Sequence, residues 1–169
     1  ILRDMNQTFI GSILFFHLMP FLINKKFFYN FIRQKKRDFL IIGIFLIINI
    51  SFFDYAMNFT GGGVFFHLSN LFFKNNYFFY FISFISLLLI STFSKNNLNN
   101  FLIFILLIIS NIQNTIYHKY YDPLVMILFF TLINNPLNFE FFKNRNKVFY
   151  VYIFYFIFIF MRIVKNNYV

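Results

Sequence analysis

The ten residues from Asn114 to Pro123 hold the densest group of chemically able side chains in the sequence, with Tyr117, His118, Lys119, Tyr120, Tyr121 and Asp122 between two apolar runs. His118 and Lys119 suit a phosphate or pyrophosphate, because a cationic donor makes a short, strong hydrogen bond to an anionic oxygen. Asp122 suits proton acceptance from a hydroxyl, or a divalent metal ion, and Asp54 offers the same chemistry earlier in the chain. His118, Lys119 and Asp122 fit a solvated loop equally well. For Tyr117, Tyr120 and Tyr121, anchoring in a membrane interface is preferred over stacking on a sugar ring.

A second group lies between Asp54 and Lys74. Gly61, Gly62 and Gly63 precede the short apolar segment from Val64 to Phe73, where His67, Asn70 and Lys74 share one helical face. Glycines before a helix start leave backbone N–H groups uncovered at the positive end of the dipole, a seat for a phosphate. No Gly-Lys-Ser or Gly-Lys-Thr follows, so this is not a P-loop, and a flexible re-entrant turn is the blander reading. His67 and His118 have no firm third ligand, so a divalent ion is a possibility without a defined site. His17, inside the first apolar run and one turn from Pro20, is read as structurally satisfied by a carbonyl that the proline leaves free.

The elements that must position these groups follow from composition. Of 169 residues, 60% are hydrophobic and 12% charged, about half the charged share of an ordinary soluble domain, so a water-soluble fold could not hide the apolar surface. Phe supplies 33 residues, and Phe, Ile, Asn, Lys and Tyr all have AT-rich codons. Single phenylalanines are therefore read as interchangeable apolar residues. With no Cys, disulfides and thiolate metal sites are excluded.

Six apolar segments, near 8–24, 39–53, 77–93, 101–116, 124–142 and 148–164, make this an all-α polytopic membrane bundle, its segments transmembrane or partly inserted. The run from Leu124 to Ile133 is short for a span unless it continues toward Phe142. Ser83 and Ser86 share a face suited to interhelical contact. The stretch from Lys25 to Asp38, with six basic residues, suits a short helix at the headgroup level.

Charge orients the segments. If loops alternate sides, ten Lys and Arg fall in 25–38, 94–100 and 136–147, against five elsewhere, which makes those three loops cytoplasmic. Asp54, the three glycines, His67 and the Tyr117–Asp122 group then share the outer face. The net charge of +10 is thereby explained by topology, and no nucleic-acid partner is expected. The lipid bilayer is the expected partner, and a bacterial inner membrane the expected location.

A polar helix end, then Tyr117-His118-Lys119-Tyr120-Tyr121-Asp122-Pro123, then a renewed apolar run, resembles a late outer loop of multi-spanning GT-C glycosyltransferases. Some of these carry a His-Lys-acid-x-Arg-Phe signature. His118 and Lys119 match its first two positions, while Tyr120, Tyr121 and Asp122 depart from the rest. The resemblance implies a polyprenyl-phosphate-linked sugar donor for envelope glycan synthesis, and a catalytic Asp in a first outer loop. Because the sequence opens at Ile1, that loop is expected upstream, in a longer chain of which this is a C-terminal part; Asp54 does not replace it. Two alternatives stand: an envelope polysaccharide polymerase or flippase-like protein, or a non-enzymatic subunit of a transporter or respiratory complex. The last should place ionisable residues at mid-membrane, where only His17 comes close.

Overall fold

A computed structural model describes residues 7–33, 36–53, 55, 61–94, 97–109, 118–133 and 143–168. It is all-helical, with no strand among the described residues. The order is α1 (Gln7–Leu18), a 3-10 turn (Met19–Ile23), α2 (Lys25–Ile32), α3 (Lys36–Ser51), α4 (Gly63–Phe73), α5 (Tyr77–Ser94), α6 (Leu98–Ile109), α7 (His118–Thr131) and α8 (Arg145–Tyr168). Most helices coincide with an apolar run of the sequence.

α1 is the centre of the bundle. Every residue from Ile10 to Leu18 is buried, so this helix is covered on all sides. Its closest partner is α5, and small residues permit the approach. Ser12, Ser83 and Ser86 are buried, and the Ser86 hydroxyl donates to the Gly11 carbonyl across the seam. The expectation that Ser83 and Ser86 face another helix is met, because any larger side chain there would hold the backbones apart.

Aromatic rings fill the rest of the core. Phe66 packs edge-on against Phe79 and Tyr55 at centroid distances of 5.5 and 5.2 Å, and Phe15 meets Phe65 at 5.4 Å. Other apolar side chains point away from it. On α3, Leu40, Ile44 and Ile47 are exposed, and on α8 so are Tyr152, Phe156, Ile159 and Phe160. Among the described residues, one helix, Tyr77–Ser94, is long and apolar enough to cross a membrane by length and composition.

Two local features differ from the sequence reading. α1 ends at Leu18 and continues as the 3-10 turn around the buried Pro20, because proline lacks the N–H that an α-turn needs. The helix expected from Leu124 starts instead at His118, so His118 to Asp122 are helical. Pro123, sixth in α7, forgoes the bond to the Lys119 carbonyl.

Candidate functional site

Three helices converge on His17. It occupies the last turn of α1 and is 3% exposed, the most deeply placed ionisable side chain among the described residues. Its Nε2 lies 3.0 Å from Asp122 Oδ1 on α7, and its Nδ1 lies 2.8 Å from Tyr155 Oη on α8. Asp122, at 24% side-chain exposure, and the partly buried Tyr155 are more open to the surroundings than His17. Each member comes from a different helix, so the triad exists only when the bundle is assembled.

The surrounding rings keep the site apolar. Phe16 packs edge-on against His17 at 5.5 Å, and against Phe154 and Phe158 at 4.9 and 4.6 Å. The Tyr155 ring lies 5.9 Å from the imidazole. Low local polarity strengthens hydrogen bonds that are made and raises the cost of any left unmade. A buried histidine here therefore requires partners at both nitrogens.

The geometry accommodates more than one proton arrangement. With neutral His17 beside an ionised Asp122, Nε2–H donates to the carboxylate and the Tyr155 hydroxyl donates to Nδ1. With His17 charged, both ring nitrogens donate, and Tyr155 Oη accepts. From the charged form, the Nε2 proton can pass to Asp122, leaving a neutral imidazole whose Nε2 accepts from the carboxyl while Nδ1–H still donates to Tyr155 Oη, so every named contact is kept. This makes Asp122 chemically able as a base whose proton is shared with a buried imidazole.

Asp122 was singled out as a proton acceptor, and it faces His17. His17 was read as satisfied by a backbone carbonyl; side chains from α7 and α8 satisfy it instead. Tyr155 escaped notice, although Val151, Phe154, Tyr155 and Phe158 form one inward stripe of α8 with a single hydroxyl.

His118 and Lys119 lie in the first turn of α7, one turn before Asp122, and their side chains lie outside the described residues, as does all of Asp54. His67 is exposed on α4. Gly61, Gly62 and Gly63 have φ of 124°, 87° and 84°, left-handed values that explain why glycines stand there. Gly62 caps α4 without a side-chain hydrogen bond, and Lys74 ends it with its N–H donating to the Asn70 carbonyl at 3.1 Å. Among the described residues no group of three His, Asp or Glu side chains is placed to hold a metal ion.

The chain matches no protein-family model, no curated protein and no solved structure.

Proposed function

We propose that this chain is a polytopic integral membrane protein of about six segments, and that Asp122, backed by His17, serves as the base in transfer of a sugar from a polyprenyl-phosphate donor, in the role that the GT-C resemblance assigns to an upstream Asp. The observation that carries the acid–base part is the half-open carboxylate bonded at 3.0 Å to a buried imidazole. The sugar and its lipid carrier rest on the likeness of the Tyr117–Pro123 stretch to GT-C transferases.

The membrane part is supported by the outer faces of α3 and α8. Leu40, Ile47, Tyr152 and Phe156 are 65–70% exposed at 68%, 65%, 70% and 69%, and lipid is the solvent in which such faces cost nothing. α8, with 24 residues, reaches about 36 Å, longer than a hydrocarbon core of about 30 Å.

In this reading the acceptor oxygen attacks the anomeric carbon as its proton passes to Asp122. The bond from that carbon to the donor's phosphate oxygen breaks, and the phosphate leaves with the electron pair. His17 shares the arriving proton and holds the carboxylate in place. His118, Lys119 and the N-terminal turn of α7 receive the leaving phosphate. A polymerase or flippase-like protein of the envelope would use the same donor class.

A second reading, a subunit of a proton-linked carrier, is favoured by the burial of His17 and the occupation of both its nitrogens. Proteoliposomes holding the full-length protein separate the two. Asp122→Asn should lower transfer of labelled sugar by about 100-fold or more, the range of general-base catalysis, with insertion intact. Unchanged transfer would sink the transferase reading. A wild-type protein that transfers nothing, but carries protons in a manner lost in Asp122→Asn, would establish the carrier.

A further inference from the structure

We propose that the segment from Lys25 to Asp38, built on α2, is a docking surface for the headgroups of anionic phospholipids. The inference rests on the membrane reading above and concerns a part of the molecule that the triad does not use.

α2 is fixed to the bundle. The Asn24 carbonyl accepts the Phe28 N–H at 2.9 Å where the 3-10 turn passes into α2, Asn24 is buried, and Phe31 packs against the core. With Phe31 inward, helical spacing puts Phe28 and Ile32 together on a neighbouring face and Arg33 on the outer side. Phe28, Tyr29 and Ile32 are 46%, 59% and 61% exposed, a strip of apolar surface beside exposed Lys25, Arg33, Lys36 and Arg37.

Charge selects the partner. Between positions 25 and 38 there are six Lys and Arg and one acid, Asp38. Asp38, partly buried, meets the exposed Arg37 at 3.9 Å, a long contact that neutralises little. Arg33 lies over the Tyr29 ring, 5.7 Å from its centroid, and its Nη1 donates to Tyr29 Oη at 3.4 Å. A guanidinium held on an aromatic face is positioned for a phosphodiester. An apolar strip beside a cationic row fits acyl chains beneath anionic headgroups. Zwitterionic lipid satisfies the strip but not the row.

The test titrates fluorescent phosphatidylglycerol into the detergent-solubilised full-length chain, with phosphatidylcholine as competitor. In the variant Lys25→Gln, Arg33→Gln, Lys36→Gln, Arg37→Gln, affinity should fall at least about fivefold, the worth of one basic residue near an anionic surface. Phosphatidylcholine should compete poorly with the wild type. Equal affinity in wild type and variant, or equal competition by phosphatidylcholine, would overturn the proposal. Alkaline carbonate extraction keeps its failure distinct from that of the membrane reading. A chain that resists extraction but binds lipid unselectively overturns this proposal alone, whereas a chain that is extracted overturns both.

Discussion

Replacing His17 by Phe keeps a ring of similar size among Phe16, Phe154 and Phe158 and removes both ring nitrogens. Asp122 Oδ1 and Tyr155 Oη then each lose the partner they had at 3.0 and 2.8 Å. The neutral bond to Tyr155 is worth about 1 kcal/mol and the charge-assisted bond to Asp122 about 1.5–3 kcal/mol. Asp122 is 24% exposed, so surrounding polar groups relieve part of its loss, and a total of about 2–3 kcal/mol is expected. Unfolding of the detergent-solubilised protein would measure it, with Asp122→Leu and the double variant closing a thermodynamic cycle. The double variant should be more stable than the sum of the singles implies, by about 1.5 kcal/mol, because the second change removes a group the first had left unpaired. Tyr155→Phe should cost only about 1 kcal/mol. Strictly additive effects of His17→Phe and Asp122→Leu would refute the bond between them.

At the seam of α1 and α5, Ser86→Leu should destabilise by about 1–3 kcal/mol through overpacking of a fully buried position. Gly11→Ala should be neutral or stabilising by up to about 1 kcal/mol, since its Cβ would stand 3.9 Å from Ser83, an ordinary contact; thermal melts of the pair in one detergent would compare them. Gly62→Ala should cost about 1–2 kcal/mol because φ is 87° there, read as loss of α4 ordering by hydrogen exchange. Phe79→Ala, fully buried, should cost about 3–5 kcal/mol, whereas Phe156→Ala, 69% exposed, should stay within about 0.5 kcal/mol in a chemical-denaturation series.

Much of the helical framework was legible because long apolar runs announce helices by composition. Tyr77–Ser94 reproduces the run read at 77–93 within a residue, and the glycines at 61–63 mark the start of α4 where left-handed backbone is needed. The start of α7 was not legible. His118 to Pro123 carry the local signature of a loop, yet α7 runs through Pro123 with the loss of one backbone bond.

The site was legible only in its members. Asp122 stood out by type, but its partner lies 105 residues away, and Tyr155 lies 138 residues from His17. Apolar periodicity tells which face of a segment turns inward and says nothing about which inward faces meet. Tyr155 was further hidden among eleven tyrosines in a sequence biased toward aromatic residues. Conversely, His118 and Lys119 share a helix turn near Asp122, which a sequence reading of that stretch as a loop could not foresee.

The meeting of α1, α7 and α8 at His17 is tested most directly by cysteine cross-linking, for which the sequence, containing no Cys, needs no background removal. A protease site inserted between α5 and α6 separates residue 17 from both partners after cleavage. His17→Cys paired with Asp122→Cys, and His17→Cys paired with Tyr155→Cys, should be joined by a short bis-methanethiosulfonate in membranes, so that cleaved fragments stay together. His17→Cys paired with Ile157→Cys, on the 54% exposed face of α8, should not be joined. Cross-linking through Ile157 as efficient as through Tyr155, or none with Asp122, would contradict the triad.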